Sequence, residues 1–495
     1  MAQTSSTLHK SIHGGKWIVV GNISSKIIGF FSILILARLL DPQSYGLIAI
    51  ILMLVGVFNE MFVPGFDTAV IQKKESIEHY LDVIWTFHVI KSIIFSVIIY
   101  FISPLVADYF HAQSITSILR VSGIFIILPA ITPARSIYLF KDLAFDKIYF
   151  RDLCGQLAYL LVGAGWSIFV SPDVWALFFA NLAKYIFSVL VVYYYYPEKP
   201  KFDLNFKILR DLLPFSKWVT AQYLVNYFMS IIDSMFVSRF FNPTVLGYYT
   251  KAKNLSSTLL SFVGSITKSL TFASFAKIQD NKQKIIEGFL MTLDVILLMG
   301  MANIFIAFLG GESLVRFFLT DKWLPITMPL KIFSIYSVLT VIILLAYSVF
   351  DGAGKPQISF KIKTLSAILY TLFAFFGVKL GGVNGAAIGL TVSNFIILLF
   401  ILYKLRNMMG LKIFSVMARV GLVLSPFVMA AVIYYPIFII FKELSDFFYL
   451  ALVGSYCLVA LIILWLVARN FEHGAWQTIK IIMSTLLGSR SANKI

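Results

Sequence analysis

Apolar stretches of about 20 residues, each long enough to cross a bilayer as a helix, recur along this chain from Trp17 to Val467. They lack the period-2 alternation of barrel strands, and only helices or closed barrels satisfy the backbone in lipid. The pattern predicts spans at 17–36, 47–68, 82–102, 120–140, 153–171 and 174–196. A second set follows at 217–238, 245–270, 287–309, 330–350, 361–378 and 383–403, and a last pair at 418–440 and 447–467. The expected fold is an all-α integral membrane protein of about fourteen transmembrane helices, two parallel six-helix bundles plus a C-terminal helix pair. Its domains are expected at 1–213 (first bundle and linker), 214–408 (second bundle) and 409–495 (last helix pair and tail). Every connection is short, including the linker at 197–217, so no soluble domain is expected.

Composition agrees. AVILMFWYC make up 59% of the residues and DEKR only 13%, against roughly 25% charged in a soluble globule. The net charge of +17 forms no stripe or motif suited to nucleic acid, so no nucleic-acid partner is expected. The basic residues divide instead by loop. One side holds Lys10, Lys16, Lys73, Lys74, Lys141 to Arg151, Lys199 to Arg210 and the later loops at 277–284, 355–363 and 404–412. The other side holds one to three per loop, among them Arg38, Arg120, Arg239, Arg316, Lys322, Lys331, Lys379 and Lys442. By the positive-inside rule both termini and the linker are expected on the cytoplasmic side. Tyr193 to Tyr196 read as an aromatic anchor beside the linker. The first span follows a polar lead with no small-residue cleavage site and is expected to stay as an uncleaved anchor. Cys154 and Cys457 read as small apolar side chains.

The chain also repeats itself. At an offset of 201 residues, Lys16-Trp17 pairs with Lys217-Trp218, Arg38 with Arg239, Pro42 with Pro243 and Gly46 with Gly247. The text between is A-R-L-L-D-P-Q-S-Y-G in one copy and S-R-F-F-N-P-T-V-L-G in the other, each read as a charged helix exit, a Pro-marked turn and a Gly before the next span. An even number of spans separates the copies, so both lie the same way up. Parallel repeats of this kind are typical of transporters, with the substrate path between the halves.

Ionisable groups at membrane depth cost about 3 kcal/mol each on insertion scales and are functional candidates by default. Lys26, Lys91 and Lys184 fall near the middle of their spans, Arg135 follows Pro129 and Pro133 in the fourth, and Lys251, Lys253 and Lys268 lie in the eighth. Glu60, Asp67, Asp233 and Asp294 are the embedded acids. The excess is cationic, and a basic cavity of low dielectric favours an anion. Asp67 is expected to pair with Lys73 or Lys74, and Lys26 with Glu60 is the structural alternative to substrate contact. His9 and His13 lie in a polar tail and His88 stands alone, so no metal site is expected. Gly381, Gly385 and Gly389 are small-residue steps suited to close helix packing. Pro64, Pro129 and Pro133 are expected to bend their helices. No P-loop, G-x-S-x-G or H-E-x-x-H is present, and no enzyme or cofactor is expected.

The stretch I-I-D-S-M-F-V-S-R-F-F-N-P-T-V-L-G-Y-Y-T-K-A-K-N-L (231–255) resembles bacterial Wzx-type polysaccharide flippases. These belong to the multidrug/oligosaccharidyl-lipid/polysaccharide exporter superfamily. The likeness extends to A-R-L-L-D-P-Q-S-Y-G, P-G-F-D-T-A-V-I-Q (64–72), Y-L-F-K-D-L-A-F-D-K (138–147) and F-D-G-A-G-K-P (350–356), and is similar in particular to exporters of the colanic-acid kind. The resemblance implies a flippase for undecaprenyl-pyrophosphate-linked oligosaccharide in surface-polysaccharide biosynthesis, with membrane lipids and a polymerase or export machinery as partners. It implies that spans 1, 2, 7 and 8 line a central cavity. The substrate-binding candidates are then Lys26, Lys251, Lys253 and Lys268, with Lys91 and Arg135 behind them. Glu60, Asp233 and Asp294 are candidates for gating or for coupling to a proton or sodium gradient. Two other readings stay open: an ion-coupled multidrug-type exporter, and a membrane polysaccharide polymerase or ligase.

Overall fold

The computed structural model describes residues 21, 24–25, 27–61, 63–73, 76–142, 144–277, 281–440 and 445–469. The side chains at 63–64, 259, 262–263, 265–274, 276–277, 439 and 467–469 lie outside the description, as do Lys26 and the side chain of Lys268. Every regular element described is helical. The first half runs α1 (Ile27–Leu39), α2 (Pro42–Glu60), α3 (Val63–Ile71), α4 (Glu78–Tyr109), α5 (Thr116–Val121), α6 (Ile124–Ala130), α7 (Ile137–Lys141), α8 (Phe145–Phe169) and α9 (Val174–Tyr195). Then come α10 (Phe206–Phe240), α11 (Pro243–Lys277), α12 (Lys282–Leu319), α13 (Thr327–Gly352), α14 (Pro356–Met409), α15 (Ile413–Ile440) and α16 (Asp446–Arg469).

Among the described residues 10 helices are long and apolar enough to cross a membrane, taking the short helices from Gln113 to Ala130 as one. The all-α membrane class therefore holds. The count of about fourteen is not reached by that measure: only Ile27–Leu39 of α1 is continuously described, neither α10 nor α11 is among the 10, and α14 counts once. Two expected spans, 361–378 and 383–403, share α14 and fold back at Gly381 and Gly382, where Gly382 takes φ +59°. Across this turn the two arms nearly touch: a Cβ on Gly385 would lie 2.1 Å from the Gly377 carbonyl oxygen, and one on Gly389 2.2 Å from that of Phe373. The expected close packing is present at Gly385 and Gly389, while Gly381 serves the turn.

The chain divides into two compact units, 1–250 and 251–495. In the first, α8 lies against α9, α2 packs on α9 and α10, and α3 lies on α10. Its core gathers Phe66, Val70, Leu81, Ile84, Ile137 and Leu212. In the second, α12 is the central helix, packed on α13, α15 and α16, while α14 covers α13. Phe305 stacks on Phe427 at 5.3 Å, and the buried Tyr456 hydroxyl donates to the Phe427 carbonyl at 2.7 Å.

The repeated text meets itself inside the first unit. Pro42 and Pro243 each open a helix, the position where proline's missing N–H costs nothing. A Cβ on Gly46 would lie 1.7 Å from the Pro243 carbonyl oxygen, and one on Gly247 1.9 Å from that of Pro42. Residue and counterpart exchange partners, as at a two-fold contact. Both glycines lie inside these helices rather than before the span, as the sequence pattern suggests, and their role is to let two backbones touch. Because α2 and α11 both start at this crossing, the copies enter from the same side.

Two spans are broken rather than bent. The fourth was expected at 120–140, but α6 ends at Ala130, Pro133 takes extended backbone and a short 3-10 turn follows at Ala134–Ser136. The Ile131 carbonyl freed there accepts from Trp85 Nε1 at 3.3 Å and from Tyr193 Oη at 2.9 Å. Tyr193 is thus a tie to a broken span, whereas Tyr194, 78% exposed, keeps the position of an interfacial anchor. The second span breaks at Met61, between α2 and α3.

Gly46→Leu and Gly247→Leu should each destabilise the protein by about 1–3 kcal/mol or more, the range for forcing volume into packed contacts. Gly165→Ala, whose Cβ would meet nothing within 4 Å, should leave the thermal unfolding midpoint in detergent unchanged. Equal midpoints for all three variants would refute the close-contact role.

Candidate functional site

At the break in the second span, P-G-F-D-T-A-V becomes the short helix α3. A Cβ on Gly65 would lie 2.3 Å from Thr220 Oγ1 and 2.6 Å from the Ser216 carbonyl oxygen, so α3 rides directly on α10. Breaking a helix at membrane depth leaves carbonyls that lipid cannot satisfy. Lys91, buried on α4, donates from Nζ to the Met61 carbonyl at 2.9 Å. Its ammonium also lies 5.9 Å from the Phe95 ring centroid. One turn earlier on the same helix, His88 Nε2 stands 3.9 Å from Asp67 Oδ1. Asp67 therefore faces α4. Lys73 lies over the Tyr80 ring at 5.4 Å, and Lys74 is outside the described residues. The expected Asp67–Lys73 pairing is replaced, and His88 is not isolated.

Glu60 ends α2, half-buried and within electrostatic range of Tyr227. The Tyr227 hydroxyl reaches the Leu52 and Met53 carbonyls at 3.1 Å each, in the space left by Gly56. Asp233 on α10 is fully buried and accepts from Tyr249 Oη on α11 at 2.6 Å. Lys251 is buried too, with Nζ 5.3 Å from the ring centroid of the fully buried Trp323. That geometry lets the indole face stabilise the cation away from water. Lys253 and Lys184 are half-buried.

Two candidates have structural partners. Asp294 on α12 forms an ion pair with Arg419 on α15, and Arg419 also donates to the Leu290 carbonyl at 3.2 Å. Arg419 escaped the sequence reading because it sits at the start of its span, where a cation looks like a loop residue. Arg135 follows the end of the apolar span Gln113–Ala130. It lies in the turn after Pro133, about a third exposed, with Nη2 3.2 Å from Glu78 and 2.5 Å from Glu198. Tyr138 Oη donates to the same Glu78 at 2.8 Å. The linker is fastened further by Lys201 N to Asp82 at 3.1 Å and Asp203 N to Thr86 Oγ1 at 2.9 Å. Arg135 thus clamps the linker to the first unit. At the C-terminal end of α10, a recess of about 440 Å³ is lined by His111, Arg239, Phe241 and Asn242. There Arg239 donates to the Tyr109 carbonyl at 3.0 Å and covers its ring.

Long apolar helices, breaks satisfied by side chains and a self-contacting repeat define a multi-pass, all-α membrane protein. The chain belongs to the polysaccharide biosynthesis protein family, whose model matches residues 35–328. The resemblance read in 231–255 and the other quoted stretches is borne out. The lipopolysaccharide biosynthesis protein WzxC of Escherichia coli K12 is 24% identical over 410 residues, 80% of this chain and 81% of that protein. The teichuronic acid biosynthesis protein TuaB of Bacillus subtilis 168 is 23% identical, covering 67% of this chain and 70% of its own length. Among solved structures, the lipid II flippase MurJ in an inward closed conformation is similar, with a TM-score of 0.73 at 16% identity over 91% of this chain and 98% of that one.

Asp294→Ala should cost about 3–5 kcal/mol, the range for orphaning one partner of a buried ion pair. The double variant Asp294→Leu/Arg419→Met should recover most of it. Thermal unfolding of the three variants in detergent checks this, and additive losses in the double variant would refute the pairing.

Proposed function

We propose that this protein is a flippase that moves undecaprenyl-pyrophosphate-linked oligosaccharide repeat units from the cytoplasmic to the periplasmic leaflet. It does so by alternating access through a cationic cavity, for surface-polysaccharide biosynthesis in a bacterial inner membrane. The observation that carries the reading is the burial of Lys251 in a largely apolar helical fold, in a chain of this family. Lysine is strongly hydrated, and its retention in such a setting fits a task that needs positive charge. A pyrophosphate is the anionic part of the cargo, and Lys and Arg hold phosphate oxygens through charge-assisted hydrogen bonds. Lys251 on its indole platform and Lys253 are the substrate-facing candidates of the second unit in this reading, while Lys26 and the side chain of Lys268 lie outside the described residues. Lys91 serves the break in the second span, and Arg135 the linker. The names of the relatives support a glycan-polymer pathway: lipopolysaccharide and teichuronic acid biosynthesis for two, a lipid II flippase for the third.

No covalent step is assigned to any residue. Both termini face the cytoplasm in this reading, on the strength of the Lys and Arg asymmetry. The driving force is an ion gradient, the membrane potential or removal of product on the far side, with Glu60 and Asp233 as the acids placed to take part.

Proteoliposomes loaded with labelled lipid-linked oligosaccharide test the reading. The expected result is protein-dependent appearance of intact glycan on the opposite leaflet, slowed at least about tenfold (about 1.4 kcal/mol) by Lys251→Gln or Lys26→Glu in folded protein. A lengthened glycan would establish a polymerase instead. Export of cationic dyes without glycan movement would establish a multidrug-type exporter.

A further inference from the structure

The group at the break in the second span includes an unfinished contact between two ionisable side chains. His88 is 7% exposed, and its Nε2 is buried with no hydrogen-bond partner. The nearest carboxylate oxygen, Asp67 Oδ1, stands 3.9 Å away, beyond hydrogen-bond length. The Asp67 side chain is 36% exposed, while the imidazole is shut in. One turn along α4, Lys91 holds the Met61 carbonyl. We propose that Asp67 and His88 form a proton-binding site, and that Lys91 transmits its occupancy to the break between α2 and α3.

The chemistry follows from charge and geometry. Whichever neutral tautomer His88 holds, the imidazolium presents an N–H at Nε2. A proton taken from water there turns the gap into a charge-assisted contact, whose ordinary length of about 2.7–2.9 Å is roughly 1 Å shorter than the present separation. Closing it draws α3 toward α4. The same proton places a positive charge one turn from the Lys91 ammonium, and like charges at that spacing repel, the more so at low dielectric. Relief comes when Lys91 loosens its hold on Met61. The empty site therefore favours the tied break and the occupied site the loosened one.

The other groups around the site have tasks of their own. Glu60 closes α2 near Tyr227. From α7, Lys141 donates to the Lys73 carbonyl at 3.2 Å, and Tyr138 is held by Glu78. From α10, Ser216 and Thr220 press on Gly65. Lys91 is thus the charge that shares both the helix and the face of His88. This inference does not depend on the identity of the cargo.

Amide hydrogen exchange on the full chain in lipid nanodiscs tests it, at about pH 8 and about pH 5, the range over which imidazole ordinarily titrates. After correction for intrinsic rates, protection of amides 57–66 should fall about tenfold on acidification, the factor of one linked unit. Amides 286–300 in α12 should not change. His88→Asn should keep the high-pH protection and abolish the response, and Asp67→Asn should also flatten it. Lys91→Met should be weakly protected at both pH values, and Lys91→Arg should respond like the wild type. If His88→Asn does not fold, Asp67→Asn decides the question alone. An undiminished response in either neutral variant, or none in the wild type, overturns the proposal.

Discussion

The meeting of Gly46 with Pro243 and of Gly247 with Pro42 fixes more of the architecture than any other contact in the first unit. Two helices start at this point, each with proline in its first turn, and their backbones approach so closely that neither glycine can carry a side chain. Hydrophobic burial is non-directional and could not specify such a crossing. A steric requirement can. It also sets the rotation of α11 about its own axis. With Gly247 turned toward Pro42, Tyr249 reaches Asp233. Lys251, two residues on and so on nearly the opposite helix face, points elsewhere, to the ring of Trp323. The register of a buried cation thus traces back to a repeated glycine.

Much of this was legible in the sequence and some was not, for definite reasons. Apolar run length gave the helices because lipid admits few alternatives to helix. The spacing Gly385–Gly389 gave the close packing of the two arms of α14 because small residues four apart share a helix face. The repeat gave the equivalence of 42–46 and 243–247, but not the contact between the two copies. A close approach between helices distant in sequence leaves no mark in the local text beyond a small residue. The break at Met61 was hidden inside a continuous apolar run, with Pro64 its one visible mark. The partners of Asp67, Asp233 and Asp294 are a histidine, a tyrosine and an arginine, each on another helix or another span. Charge counting cannot find such partners, because helical periodicity orders residues along one helix and says nothing of which face meets which neighbour.

The polar groups inside the apolar fold follow one rule. A helix that breaks in lipid frees carbonyls, and at two breaks one of them is met by side chains from neighbouring helices: Met61 by Lys91, Ile131 by Trp85 and Tyr193. These donors are large, and none could be read from its own span as serving another. An embedded cation is consequently ambiguous in sequence. It can face a substrate or mend a backbone, and both leave a lysine in an apolar run. The structure separates the two for Lys91, which mends, and for Arg135, which clamps.

A second distinction lies between charged groups in direct contact and those held apart. Asp294 and Arg419 are paired directly, and Arg419 Nη1 also donates to the Leu290 carbonyl. A buried pair of that kind has one good arrangement, and disturbing it raises the energy in every direction. Asp67 and His88 are held apart at 3.9 Å with a buried nitrogen unfilled, and a proton would supply a second good arrangement. Conformational change needs two such arrangements of similar energy that some ligand can tell apart. Strength of interaction therefore marks the scaffold in this protein, while leverage belongs to the contact left open, beside the break that it could govern.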